Sequence, residues 1–157
     1  MKAITLYQPW ATWIAEGRKT YETRSFAPWS SLIGQRIAIH AGKTKAHIKD
    51  REDKDRYPLG AILCTAKLAK VYLIRPFDEC PPERNNDGDI MLSVINYRTL
   101  DLSVLVLSWE DWRAGMWGKY NSDINRYGWK LEDLEVLPEP FYCNGKQGFW
   151  NLPPLFY

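Results

Sequence analysis

The sequence predicts an α+β fold in which strands dominate. Three observations predict it. Stretches at 2–7, 35–41, 61–74, 126–136 and 149–152 alternate, or run apolar, in the manner of strands. One window, Pro9 to Gly17, carries helical spacing. A length of 157 residues with 45% apolar content suits a single domain, 1–157, with a core of its own. No repeat, low-complexity tract or linker divides the chain.

KAITLY, residues 2–7, reads as the first strand and leads into a helix. Pro9 suits a first helical turn, where its missing N–H costs nothing. Trp10, Trp13, Ile14 and Gly17 follow the spacing of a buried stripe, and Gly17 tolerates the left-handed conformation that ends many helices. Gln8 stands where a cap belongs, yet Gln is not a preferred cap, which hints at another use for its side chain. In the next strand Thr20, Glu22 and Arg24 share one face, and Lys19, Tyr21 and Thr23 the other. Pro28 to Gly34 is a loop, and Gln35 to Ala41 a further strand ending at His40-Ala41-Gly42-Lys43.

Thr44 to Tyr57 is dense in mixed charge and reads as a solvated helix that Thr44 can cap. Pro58-Leu59-Gly60 breaks the chain before a long strand, Ala61 to Ile74. Pro76 to Asp89, with three prolines, is the best candidate for a mobile insertion. Ile90 to Trp117 fits strands or helices, and Ser108 to Trp112 can open a helix. Arg126 to Val136 alternates Tyr127, Trp129 and Leu131, with Pro138 and Pro140 expected to end it. A Gly145-Lys146-Gln147-Gly148 turn precedes the final aromatic strand.

Eight Trp and nine Tyr are a heavy aromatic load, so some are expected to line a concave surface. Net charge is +2, too small by itself to mark a nucleic-acid binder. Its distribution says more: residues 1–57 hold 11 Lys/Arg against 6 Asp/Glu, a balance of +5, and the remainder holds 10 against 13, or −3. Cys64, Cys80 and Cys143 stand far apart and form no CxxC, so free thiols are expected. With His40 and His47 they give no zinc spacing, and neither metal nor cofactor is expected. No apolar run approaches the roughly 20 residues that span a bilayer, and no signal peptide is seen at Met1-Lys2-Ala3, so a cytoplasmic protein without membrane contact is expected.

Three motifs remain: QPWA at 8–11, GRKTYETR at 17–24 and GKQGFWNLP at 145–153. Together they resemble the ASCH domain, named for activating-signal cointegrator homology, within the PUA-like superfamily. The resemblance uses Gln8, Pro9, Trp10, Ala11, Gly17, Lys19, Thr20, Glu22 and Arg24, then Tyr127, Trp129 and Leu131, and spans nearly the whole chain. It implies a small PUA-like β-barrel flanked by short helices, and a role with RNA or a modified nucleoside.

The residue types agree with that role. Extruded bases are held by aromatic stacking, base-edge hydrogen bonds and positive charge at phosphate. Trp10, Trp129 or Trp150 can stack, Gln8 offers a donor and an acceptor to a base edge, and Glu22 can accept from an exocyclic amine. Lys19, Arg24 and Lys43 suit phosphate or carbonyl oxygen; Thr20, His40 and Lys146 complete the candidate ligand-binding set. A plainer reading makes Trp10 and Trp13 core, Glu22–Arg24 a surface ion pair and His40 a satisfied half-buried histidine.

Two further readings stay open. Some relatives with this fold are similar in a GxKT segment and remove an acetyl group from 4-acetylcytidine. Lys19 then matches their lysine, while the position of their nucleophilic threonine carries Glu22. A hydrolase of that kind, or a ribonuclease, would use Lys19 and Glu22, with His40 for RNA cleavage. A protein-interaction module would instead use exposed aromatics to hold a protein partner.

Overall fold

A computed structural model describes residues 1–48, 55–74, 82–108, 112 and 126–156. In chain order these form β1 (Lys2–Leu6), α1 (Trp10–Ala15), β2 (Tyr21–Arg24), β3 (Arg36–Ala41), β4 (Ala61–Ile74), β5 (Glu83–Arg84), β6 (Ile90–Asn96), β7 (Leu102–Leu107), β8 (Arg126–Tyr142) and β9 (Phe149–Asn151). Strands dominate, as the periodicity predicts. The main pairing order is β2-β8-β4-β3-β1-β9, with β6 pairing β4, β5 and β7. This is an open sheet and corrects the expected closed barrel: among the described residues the end strands β2 and β9 have no pairing with each other. Both are short, with four and three residues, and each pairs with one neighbour.

The chain forms two compact units. The first comprises Met1–Gly17, Arg36–Lys67 and Glu132–Tyr157; the second comprises Arg18–Gln35 and Leu68–Leu131. In the first, β1 runs parallel to β3, with Thr5 opposite His40, and β9 lies antiparallel on the other side of β1, with Trp150 opposite Ala3. β3 pairs antiparallel with β4, and the register shifts between Ile39 and His40. Such a bulge re-aims side chains, and here it falls at a candidate site residue. The core gathers Ala3, Ala38, Ile62, Trp150 and Leu152, with Leu137, Phe141, Cys143 and Phe156 packed against it. In α1 the buried residues are Ala11 and Ile14, while Trp10 and Trp13 are half-buried.

In the second unit β2 lies antiparallel to the first residues of β8. β6 and β7 form a hairpin across a turn in which Asn96 Oδ1 accepts from the N–H groups of Arg98 and Thr99. Its core is Tyr72, Ile74, Ile90, Leu92, Val94, Leu105 and Leu107. The ambiguous window from Ile90 is therefore strand as far as Leu107. It escaped a clear reading because the outer face of β7 is aliphatic too: Leu102, Val104 and Val106 are exposed, so polarity does not alternate.

Three further differences have physical causes. β8 runs on through Pro138 and Pro140 to Tyr142, on a largely exposed stretch where a strand tolerates a missing N–H. Residues 44–48 make turns rather than a helix, with Thr44 Oγ1 accepting the Ala46 N–H at 3.2 Å. The predicted insertion ends in a turn in which Asn85 Oδ1 accepts from the N–H groups of Asp87 and Asp89; residues 76–81 of it, like residues 109–111 and 113–117, lie outside the described residues. No helix among the described residues is long and apolar enough to cross a membrane.

Candidate functional site

The candidate residues fall into both units, and each group is built differently. In the second unit, Lys19 precedes β2, so the strand alternation that set it opposite Glu22 does not govern it. Its ammonium donates to the Tyr21 carbonyl at 2.6 Å and lies 3.4 Å from Glu22 Oε2. Arg24 Nε lies 2.9 Å from Glu22 Oε1. Lys19 is 3% exposed and the Glu22 side chain 11%, so this is not the surface ion pair of the plainer reading. Two cations meet one carboxylate. Thr20 is half-buried, and its carbonyl accepts the Leu131 N–H at 2.9 Å. Trp129 stands opposite Glu22 in the β2–β8 register and is fully buried. It packs edge-on against the exposed Phe26, with ring centroids 5.7 Å apart.

Buried charges give little net stability, because desolvation offsets their attraction. The second unit thus presents a carboxylate fixed between two cations, beside an exposed aromatic ring.

In the first unit, Gln8 is fully buried. Its Oε1 accepts the Thr12 N–H at 3.0 Å, and its Nε2 donates to the Pro58 carbonyl at 2.7 Å. The side chain is longer than a Ser or Asp cap and reaches the first turn from outside the helix. It thereby satisfies a free N–H of α1 and ties the helix to the Pro58 break. Both ends of the amide are engaged in these two hydrogen bonds.

His40 is 1% exposed. Its Nε2 lies 3.1 Å from the Cys143 carbonyl, which fixes that nitrogen as the donor and leaves Nδ1 as a buried acceptor without a hydrogen-bond partner among the described residues. Trp150 packs edge-on to the imidazole at 5.4 Å and donates its Nε1–H to Thr5 Oγ1 at 3.2 Å. Trp150, too, is therefore engaged in the core. Burial pushes the His40 imidazole below its ordinary 6.5; the Cys143 carbonyl opposes the shift, and the Lys43 ammonium adds to it.

The folded chain then binds fewer protons at His40 than the unfolded chain does. This contribution to stability is present above about pH 6.5 and is lost as pH falls toward the depressed folded value. The protein is expected to lose stability between about pH 7.5 and about pH 5.5, and His40→Asn to flatten that loss, measured by denaturant unfolding at both pH values.

Lys43 is exposed and donates to Asn144 Oδ1 at 2.8 Å. Lys146 is exposed in its turn. The sequence reading passed over two residues of this unit. Tyr7 is 52% exposed, and the exposed His47 ring lies 4.8 Å from Tyr7 and 5.0 Å from Trp10. Tyr7 was hidden as the end of an apolar strand and His47 within a run of charge. Among the described residues no group of acidic, histidine or cysteine side chains is arranged to hold a metal. Cys64 is a buried free thiol pushed up to about 12 by desolvation, and Cys143 is raised by the same cause.

An open, mainly β sheet carrying the three motifs defines an ASCH-type domain, and comparison with known proteins agrees. The ASCH domain family model matches residues 4–136. The chain belongs to the ASCH family. Among solved structures it is similar to ASCH from Zymomonas mobilis, at 16% identity and a TM-score of 0.54, covering 98% of this chain and 88% of that one. Two single-residue variants of the Zymomonas protein, one Tyr-to-Phe and one Ser-to-Ala, match at 17% identity and TM-scores of 0.53. They cover 98% of this chain and 90% and 88% of theirs. At these identities the likeness concerns the fold. No curated protein is a significant match.

Proposed function

We propose that this chain is a single ASCH domain that binds RNA or a nucleoside, with Lys19, Glu22 and Arg24 as its polar recognition group. The observation that carries this reading is the buried cluster itself. Glu22 is held in place by two cations, which suits it to accept from an exocyclic amine, and the cations themselves suit a carbonyl or phosphate oxygen. Phe26 offers a ring for the base. ASCH domains are generally RNA-associated, which supports the same class of ligand.

The test is a tryptophan-fluorescence titration with a short single-stranded RNA and with cytidine derivatives, products being checked by mass. Wild type is expected to respond without a mass change. Lys19→Met keeps the volume and removes the charge, and is expected to weaken binding about 10- to 100-fold. A mass change that disappears in Lys19→Met would move the reading to a hydrolase. No response to any nucleotide would overturn it. One observation favours a protein partner instead: the exposed aliphatic face of β7, Leu102, Val104 and Val106.

A further inference from the structure

We infer that Tyr7, His47 and Trp10 form a stacking site for an unpaired base of single-stranded RNA, with Lys43, which follows Gly42 at the same strand ends, as the cation for its phosphate, separate from the Lys19 cluster. The inference rests on the RNA-binding reading above and adds a second contact surface to it.

The strand arrangement brings these residues together. β1 and β3 are parallel, so their carboxyl ends share one edge: Tyr7 follows β1, and Gly42 and Lys43 follow β3. The Gly42 N–H donates to the Leu6 carbonyl at 2.7 Å, closing that edge. A Cβ at Gly42 would lie 3.3 Å from the same carbonyl and 3.8 Å from Tyr7 Cδ1, so glycine lets the two strand ends approach. The turn at 44–48 then carries His47 back over Tyr7 and Trp10.

Three rings result, with centroids 4.8 Å and 5.0 Å from His47 and planes tilted by 38° and 44°. Tyr7 and His47 are exposed and Trp10 half-buried, so the wall is anchored at the helix and open to solvent at the tyrosine. Rings left exposed and in mutual contact offer a π-face that any base can use.

Charge selects the occupant. The Lys43 stem packs over Gly60, where a Cβ would meet Lys43 Cε at 2.9 Å, and its head is fixed on Asn144. That bond uses one of the three ammonium donors. Lys45 stands nearby in the chain, 3.6 Å from Asp55. An open aromatic wall with a fixed cation next to Gly42 in the chain matches the alternation of base and phosphate in a single strand better than it matches an apolar peptide.

The test is equilibrium binding of a short single-stranded RNA to the full chain at several salt concentrations. Tyr7→Ala and His47→Ala touch no core position and are expected to weaken binding about 5- to 100-fold. Tyr7→Phe, which keeps the ring, should restore it. Lys43→Ala should reduce the slope of log K against log salt by about one ion. An RNA with abasic sites should bind weakly to wild type. Wild-type binding that is unchanged in Tyr7→Ala and His47→Ala, or equal affinity for the abasic strand, would overturn the stacking site and leave the RNA reading standing. Failure of wild type to bind RNA would overturn both.

Discussion

Glu22→Ala is expected to cost about 3–5 kcal/mol of folding stability, the penalty for breaking a buried ion pair by removing one partner. Lys19 is the reason. Its ammonium is almost fully buried, and the variant removes the carboxylate that lies 3.4 Å from it. Arg24 loses its contact with the same carboxylate. For a chain of this length such a loss lowers the melting temperature by roughly 6–20 °C. Denaturant unfolding of wild type and variant measures it directly. A loss under about 1 kcal/mol would show the cluster to be open to water. A companion variant separates stability from use. Lys19→Met, Glu22→Leu and Arg24→Leu together replace the charges with apolar volume, and buried ion clusters treated in this way often become neutral or more stable. The triple variant should melt well above Glu22→Ala and still lose ligand binding.

Gly145→Ala is expected to be the second large effect. A Cβ there would lie 2.5 Å from His40 Nδ1 and 2.7 Å from Thr5 Oγ1, distances real Cβ atoms essentially never show. The neighbours cannot yield cheaply. The His40 ring is fully buried, held at Cys143 and packed against Trp150, and Thr5 is bonded to Trp150. The cost is about 1–3 kcal/mol or more, as for other overpacked sites. His40→Ala removes the obstructing ring. In that background Gly145→Ala should cost less, with a coupling of about 0.5–3 kcal/mol in a double-mutant cycle. Additive effects would show that the two residues do not meet.

These two sites also mark what the sequence makes legible. Period and length reveal β4 to the residue, because ten of its fourteen positions are buried and only Thr65, Lys67 and Lys70 interrupt its apolar run. The motif residues place the family. What the chain hides is governed by contacts between distant positions. The Gln8 amide spans from Thr12 to Pro58, fifty residues away. Lys19 departs from the face predicted for it, shared with Tyr21 and Thr23, because β2 starts at Tyr21, two residues after it. Trp129 and Trp150 look alike to Trp10 in composition, and only packing separates the buried rings from the half-exposed one. The hairpin of β6 and β7 defeats a periodic reading because both of its faces are apolar. The barrel expected from the family resemblance fails on pairing, which no local pattern encodes.

The most direct measurement of the central claim is photo-crosslinking of the full chain to a single-stranded RNA carrying 4-thiouridine, followed by peptide mapping. The account predicts crosslinks on the segment with Tyr7 and Trp10, on His47, and on the Lys19–Phe26 segment, all suppressed by excess unlabelled RNA and by high salt. Crosslinks confined to other segments, or none above the level of an unrelated protein, would contradict it.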